Sequence, residues 1–275
     1  MDPIIGGLPV QAVDTALVHK LLEPIWSAKP ETVSRVRGRV ESILDWAKVR
    51  GYRQGENPAR WRGHLDKLFP SRSKVRKIKH HAALPYAEVP AFISGLHERE
   101  GAGARAFEFT ILTAARSGEV LGAQWDEFDL GAAVWVIPAE RMKAGREHRV
   151  PLSSSALQII RDIAGARQGK FVFSNGDPDT PLSPRALWKV LARMRVEGAT
   201  PHGFRSSFRD WAAERTSYPN HVVEMALAHT IGDKVEAAYR RGDLFDKRRR
   251  LMDEWARFCN TPAAAGAVIP LRAAE

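Results

Sequence analysis

Residues 200–239 combine side-chain types that together could break a phosphodiester bond. His202 and Arg205 lie three residues apart, directly after Thr200 and Pro201, which predict an N-cap and the first residue of a helix. A helix N-terminus offers free backbone N–H groups to an anion, and a guanidinium can bind two phosphate oxygens at once. The spacing therefore predicts a phosphate-binding site, with Tyr239 as the group that could attack the phosphorus.

Attack by a tyrosine hydroxyl needs cations and proton-transfer groups. The ordinary pKa of tyrosine is about 10, so roughly one hydroxyl in a thousand is ionised at neutral pH. Cations would stabilise the charge that grows in an in-line transition state, and an acid must protonate the departing sugar oxygen. The candidates for these tasks are Arg116, Lys143, His202, Arg205 and His229. Each alone has a simpler interpretation, as a salt-bridge partner, a solvent-exposed lysine or a core residue with a paired polar group.

No metal or nucleotide cofactor is expected for such a reaction. The sequence contains no HExxH motif, no paired acidic motif with ligand spacing and no Walker A loop. His80 and His81 are adjacent, which is not the helical spacing of a metal site. A phosphotyrosyl bond also conserves the energy of the broken phosphodiester, so ATP is not required.

Composition and charge indicate a basic globular protein. The 275 residues include 42 Lys and Arg against 32 Asp and Glu, a net charge of +10, and are 44% hydrophobic. The positive excess favours a nucleic-acid partner, although a basic surface that only aids solubility is the alternative on composition alone. Cys259 is the single cysteine, which excludes an internal disulfide. Without a run of eighteen apolar residues or a signal peptide, we expect a cytoplasmic protein with no membrane partner.

Hydrophobic periodicity predicts two helices near the start of the chain. The first stops near Pro24, and a longer one begins at Pro30 and buries a stripe that includes Ile43. Arg35 and Arg39 lie off that stripe and could contact DNA phosphates. A solvated charged face explains them equally simply.

Residues 71–83 lose the apolar periodicity and carry five cations without an acid. This pattern predicts a basic linker between two domains, which could follow a DNA groove or backbone. The alternative is a spacer whose charge only keeps it extended. Its candidate DNA contacts are Lys74, Arg76, Lys77 and Lys79.

The remainder predicts more helices around a small sheet. Lys143 lies in a loop between two predicted strands at residues 134–138 and 148–152, and residues 171–173 predict a further short strand. Helices are predicted at residues 86–100, 104–115, 153–164, 184–196 and 246–258. Arg185 and Lys189, in the fourth of these, form a second candidate DNA face. The fold class is therefore mainly α with a small antiparallel sheet (α+β), in two domains.

At five places the chain resembles the tyrosine recombinase family, most closely the phage and genomic-island integrases. The matching pieces are TAARSGEV at residues 113–120, Lys143 followed by VPLS at 150–153, HGFR at 202–205, AHT at 228–230, and Tyr239. They occur in order and at compatible spacings.

The resemblance implies a function and a role for each site residue. It implies site-specific integration or excision by strand exchange through a 3′-phosphotyrosine, in a homotetramer on the attachment sites of double-stranded DNA in a bacterial cytoplasm. The alternative is a truncated or domesticated integrase that only binds DNA. The implied roles are phosphate clamp for Arg116 and Arg205, general acid for Lys143, base or proton shuttle for His202, transition-state hydrogen-bond donor for His229 and nucleophile for Tyr239.

The resemblance also implies a domain organisation. Residues 1–70 would form a helical core DNA-binding domain, incomplete because relatives carry a further arm-binding domain, and residues 84–260 the catalytic domain. We expect the tail at residues 261–275 to be disordered. Either that tail or the helix at residues 246–258 is a candidate for the contact between subunits.

Overall fold

The computed structural model describes residues 4–71, 82–165, 169–229 and 242–261. It divides the chain into two compact units, an N-terminal unit at Met1–His80 and a C-terminal unit at His81–Glu275. Some sequence predictions lie outside the described residues: the DNA contacts Lys74, Arg76, Lys77 and Lys79, the nucleophile Tyr239, and the tail from residue 262 onward.

The N-terminal unit contains helices α1 (Thr15–Trp26) and α2 (Pro30–Val49). Helix α1 contains Pro24 and ends two residues later at Trp26, close to the predicted stop. Trp26 is buried, stacks on Phe69 with ring centroids 4.2 Å apart and donates a hydrogen bond to the carbonyl of Pro70 at 3.1 Å. This packing of Trp26 holds the last turn of α1 together despite the N–H that proline lacks.

Helix α2 buries one face against α1 and leaves an apolar strip on the other. Val33 and Leu44 are buried, as the periodicity predicts, but Ile43 is 58% exposed and its predicted burial is wrong. One residue turns a helix by about 100°, so Ile43 points away from the face that contains Leu44. Trp46 and Val49 are exposed beside it.

The C-terminal unit holds a three-stranded antiparallel sheet in the order β1 (Phe128–Asp129), β2 (Val134–Ile137) and β3 (His148–Pro151). Trp135 of β2 pairs with Val150 of β3. The two predicted strands on either side of Lys143 are therefore confirmed. A second pair joins β4 (Ser174–Asn175) to β5 (Asp177–Pro181).

The prediction of a strand over residues 171–173 is wrong. Phe171 forms only an isolated bridge with Gln124, and the N–H of Val172 bonds to the carbonyl of Ala123 at 2.9 Å. Val172 and Phe173 are buried, so the apolar run reports burial rather than a strand.

Helices surround this sheet and make the described part of the chain mainly α, as predicted. They are α3 (Val89–His97), α4 (Ala102–Thr113), α5 (Ser117–Leu121), α6 (Ser154–Ala164), α7 (Ala186–Arg193), α8 (Gly203–Arg215), α9 (Asn220–Ala226) and α10 (Phe245–Cys259). The predicted helix over residues 86–100 is a 3-10 turn at Tyr86–Glu88 followed by α3. Among the described helices, none has the length and apolar character needed to cross a membrane.

Helix α4 lies at the centre of the C-terminal unit. Its residues from Ala106 to Thr113 are all buried, because other helices and the sheet pack around it. Trp255 of α10 donates to the carbonyl of Ile111 at 2.8 Å. Leu251 and Trp255 are fully buried in this core, so the apolar face of α10 is used within the unit and is not an open surface for a second subunit.

Helix α8 begins one residue after His202, which occupies the N-cap position. The prediction of Thr200 as the formal N-cap is therefore wrong, because a turn precedes the α-helix. The Thr200 hydroxyl still accepts the N–H of Gly203 at 2.9 Å, so it satisfies one of the free donors at the helix start.

Gly203→Ala is expected to destabilise the C-terminal unit by about 2 kcal/mol or more. A Cβ at this position would lie 2.2 Å from the carbonyl oxygen of Ala82 and 2.8 Å from the Cα of Ala83, so backbone must move. Urea unfolding of the full chain measures the loss. Gly118→Ala is the matched control, because a Cβ there meets nothing within 4 Å. Equal stability of the two variants would contradict the close approach.

Candidate active site

Arg116 is held at the junction between α4 and α5. Ala114 ends α4 in the left-handed conformation (φ 49°), and Arg116 is the N-cap of α5. The buried carboxylate of Glu119 accepts the backbone N–H of Arg116 at 2.8 Å and its Nη1 at 2.7 Å. Arg116 Nη2 donates to the carbonyl of Ala228 at 3.1 Å. The guanidinium is therefore fixed from two elements that are far apart in sequence.

Arg205 lies in the first turn of α8 and is only 5% exposed. Nη1 donates to the carbonyl of Ala114 and Nη2 to that of Leu227. Among the described residues, its buried Nε has no hydrogen-bond partner. Burial, and then the charge of Arg116, lowers the pKa of Arg205 to about 10, against the opposing effect of nearby carboxylates including Glu119. Arg205 therefore stays charged at neutral pH.

His229 joins the same cluster. Its Nε2 lies 3.2 Å from Arg205 Nη2 and its Nδ1 lies 2.7 Å from the carboxylate of Glu224. A guanidinium only donates, so in this arrangement Nε2 accepts and Nδ1 carries the hydrogen. The side chain is 41% exposed, which leaves it open to a substrate.

Glu224 binds the Nδ1 side of the His229 imidazole. Burial acts to raise the pKa of Glu224, but hydrogen bonds from His229 and from Arg209 outweigh it, and the net shift is downward. Glu224 is thus a carboxylate at neutral pH. Its hydrogen bond with Nδ1 fixes the orientation of the imidazole, with Nε2 toward Arg205.

Two further predicted site residues, His202 and Lys143, lie at the surface. His202 is exposed at the start of α8, three residues before Arg205. Lys143 is exposed in the turn between β2 and β3, whereas the hydrogen bonds of the cluster involve Arg116, Arg205 and His229. The described structure therefore brings together Arg116, Arg205 and His229.

The predicted DNA contacts that the structure describes are exposed. Arg35 pairs with Glu31 at 2.6 Å and, with Arg39, lines a shallow cleft of about 500 Å³ on α2. Arg185 and Lys189 are exposed on α7, and Lys189 lines a cleft of about 800 Å³ beside the start of α4. In the described part of the chain, no group of three His, Cys, Asp or Glu residues is placed to hold a metal ion.

His148 is a partly buried residue beside the arginine cluster, and its sequence pattern indicates only a strand. It begins β3 and hydrogen-bonds the backbone of Ala226. Burial lowers the pKa of His148 to about 4, and the positive charges of Arg248, Arg116 and Arg205 act in the same direction. The imidazole is therefore neutral beside the arginine cluster.

The depressed pKa of His148 predicts a loss of stability in acid. The folded-state pKa of about 4 lies below the ordinary value of 6.5, so the unfolded chain binds the proton first as the pH falls. The contribution of His148 to the free energy of unfolding is fully present above pH 6.5. That free energy falls by about 2 to 3 kcal/mol as the pH falls toward 4. In urea unfolding at several pH values, His148→Gln should remove this part of the slope. Parallel curves for the two proteins would contradict it.

Arg248 is a second buried residue that the sequence did not single out. It is 1% exposed, donates to the carbonyl of Arg149 in β3 at 2.6 Å, and bonds both the carbonyl and the carboxylate of Asp243 at 2.7 Å. It thereby fixes Asp243, four residues after Tyr239 in sequence, to β3. The available signal was its spacing, because Arg248 lies seven residues before Trp255 on the apolar stripe of α10.

Comparison with known proteins matches both units. The phage integrase central domain model matches residues 1–64, and the phage integrase family model matches residues 84–243. Prophage integrase IntZ of Escherichia coli (strain K12) is 31% identical over 258 residues, covering 92% of this chain and 62% of that protein. The integrase of Enterobacteria phage P4 is 29% identical over 278 residues, covering 92% and 61%. The chain spans about three-fifths of the length of these relatives.

Solved structures share the fold. A lambda integrase dimer bound to a COC′ core site superimposes with a TM-score of 0.61 at 16% identity, over 81% of each chain. The Tn1549 transposon integrase in complex with circular intermediate DNA gives 0.61 at 15% identity, over 90% of this chain and 87% of that one. The resemblance drawn from the five sequence motifs is confirmed, and the chain belongs to the phage integrase family.

Proposed function

We propose that this chain is a site-specific DNA recombinase that cuts and rejoins duplex DNA through a 3′-phosphotyrosine at Tyr239, in integration or excision. The observation that carries the proposal is the convergence of Arg116, Arg205 and His229 on the backbone at residues 227–229, in a member of the phage integrase family. Two cations and an imidazole at one solvent-accessible point suit a phosphodiester that gains negative charge as it reacts.

The two guanidinium groups would clamp the non-bridging oxygens of the phosphate. Arg116 donates from Nη1 to Glu119 and from Nη2 to Ala228, which leaves other N–H groups of its planar fork for a substrate. Arg205 is held by carbonyl groups, so its charge needs no rearrangement when the transition state forms. A clamp fixed in this way stabilises the transition state without a further ordering cost.

In the covalent step a bond forms between the phosphorus and the tyrosine oxygen, and the bond to the leaving 5′-oxygen breaks. One proton is transferred on each side. The Tyr239 oxygen attacks the phosphorus and its proton passes to a base, for which His202 is the candidate. The bond from phosphorus to the 5′-oxygen breaks, and Lys143 gives that oxygen a proton. The free 5′-hydroxyl of a partner strand then attacks the phosphotyrosine and gives up its proton, the bond from phosphorus to the Tyr239 oxygen breaks, and that oxygen takes up a proton. One phosphodiester is exchanged for another, so no ATP is consumed.

Duplex DNA is the proposed substrate and partner. The net charge of +10 and the exposed pairs Arg35 with Arg39, and Arg185 with Lys189, support this. We assign core DNA binding to residues 1–70, a linking role to residues 71–83 and catalysis to residues 84–260. A lambda integrase forms a tetramer on a Holliday junction, and we propose a homotetramer on DNA here, in the bacterial cytoplasm.

The proposal is tested with a pool of nicked suicide duplexes of randomised core sequence, incubated with the full chain in EDTA. A recombinase should form an adduct that survives detergent, and the DNA recovered from it should be enriched in one sequence. A mobility shift without any adduct would instead support a protein that only binds DNA. An adduct or cut that requires magnesium would overturn the metal-independent mechanism.

A further inference from the structure

We propose that Arg141 is a positioning residue for the general acid. It ties the loop that carries Lys143 to the helix that holds Arg116, and so sets the distance between the acid and the phosphate clamp. The inference rests on the proposed function, because it assigns a consequence to the roles of Lys143 and Arg116 in strand cleavage.

Arg141 reaches two elements from the start of the loop. It ends the 3-10 turn at Ala139–Arg141, directly after β2 and two residues before Lys143. Its Nη1 donates to the carboxylate of Glu127, and its Nη2 donates to the backbone carbonyl of Glu119 in α5. The side chains of Arg141 and Glu127 are largely buried, at 16% and 6% exposed.

Glu119 connects this contact to the clamp. Its carbonyl accepts from Arg141, while its carboxylate accepts from Arg116 at 2.7 Å. One residue of α5 therefore holds the arginine of the loop through its backbone and the arginine of the clamp through its side chain. Gly122 leaves room for the hydrogen bond from Arg141 to the Glu119 carbonyl, because a Cβ on residue 122 would lie 3.2 Å from Arg141 Nη2.

The second partner of Arg141, Glu127, is also held in place. The Glu127 carboxylate accepts the indole N–H of the fully buried Trp135 at 2.9 Å, so Arg141 binds a group that cannot turn away. Met142 is buried as well, whereas Lys143 is exposed. The anchored part of the loop thus ends one residue before the proposed acid. A general acid acts only within hydrogen-bond reach of its target, so the place where Lys143 leaves the anchored backbone governs its efficiency.

The charge of Arg141 is balanced by the carboxylate of Glu127. Glu127 neutralises it at the loop end, so the residue adds no free cation to the phosphate site. Arg141 should therefore affect the rate through Lys143 and not through the clamp, which gives the inference a specific chemical test.

The test compares two leaving groups in suicide substrates selected by the full chain, one with the normal 5′-oxygen and one with a bridging 5′-sulfur. A thiolate leaves without a proton, since thiols have a pKa of about 8.5, whereas an alkoxide needs one. Arg141→Met should slow adduct formation about tenfold to a hundredfold with oxygen, and by less than about threefold with sulfur. Lys143→Ala should show the same pattern, and adding Arg141→Met to it should cause no further loss with oxygen.

Arg146→Met is the matched control, because it removes the same charge from an exposed position of the same loop, and both substrates should react as with wild type. Arg141→Lys keeps the charge but cannot reproduce the two-sided contact, so it decides the question if Arg141→Met fails to fold. Equal slowing with oxygen and sulfur would show a merely structural role and overturn the inference. Wild-type rates for both Arg141 variants would overturn the role of Arg141 and leave the proposed function standing. If the wild-type protein forms no adduct, the proposed function and the role of Arg141 are both overturned.

Discussion

Tyr239→Phe is expected to abolish the covalent adduct with DNA and to leave DNA binding unchanged. The substitution removes the oxygen that is proposed to attack the phosphorus, so adduct formation should fall by more than about a thousandfold. The substitution keeps the aromatic ring and removes only the hydroxyl. The adduct is measured on a nicked suicide duplex in EDTA, and binding is measured by mobility shift on the same duplex.

Tyr218→Phe is the matched control for that experiment. Tyr218 donates to Glu254 at 2.8 Å, and burial together with this hydrogen bond raises the pKa of Tyr218 to about 12. Its hydroxyl is therefore occupied and ionises even less readily than an ordinary tyrosine. The variant should lose about 1 kcal/mol of stability and keep the adduct. An adduct that survives in Tyr239→Phe but is lost in Tyr218→Phe would reassign the nucleophile.

The elements of the fold were predictable where periodicity and burial agree. Strands β2 and β3 and helices α3, α4, α6, α7 and α10 follow from local apolar patterns, whereas no range was predicted for the short helices α5 and α9. The pattern was insufficient at Ile43 and at residues 171–173, since an apolar side chain shows a tendency to be buried but not which neighbour covers it. Pro24 shows the opposite case, in which the contact of Trp26 with Phe69 outweighs a local helix-breaking signal.

The candidate site was predictable only in part, for a physical reason. Arg116, Arg205 and His229 belong to motifs with recognisable spacing, and the structure brings them together. Arg141 and Arg248 belong to no such motif, because each donates to a backbone carbonyl that is distant in sequence. A charged residue is ordinarily assigned to the surface, and only the tertiary structure shows that these two are paired and buried.

The contacts around β3 show why composition alone does not distinguish a structural cation from an exposed one. Arg149 and Asp243 are 3.5 Å apart, and Arg248 joins them from within the core. Net charge counts all of these residues equally. The structure separates cations that hold the site together from exposed cations such as Lys143.

Arg205→Lys is expected to reduce adduct formation by about a hundredfold to a thousandfold, although the charge is kept. Arg205 donates at the same time to the carbonyls of Ala114 and Leu227 and approaches His229 at 3.2 Å. A lysine ammonium cannot span these partners with a planar fork. The substitution therefore leaves buried acceptors without donors, which costs about 1 to 3 kcal/mol of stability, and it removes the proposed two-point clamp on the phosphate.

Stability and chemistry are separated by measuring adduct formation at a temperature where the Arg205→Lys protein remains folded, as judged by its own thermal unfolding. Arg215→Lys, at the exposed last turn of α8, is the matched control and should keep the wild-type rate. DNA affinity should fall much less than the rate, because the clamp acts most strongly on the charge of the transition state. A folded Arg205→Lys protein with the wild-type rate would mean that a point charge suffices at this position and that the guanidinium geometry contributes nothing to the reaction.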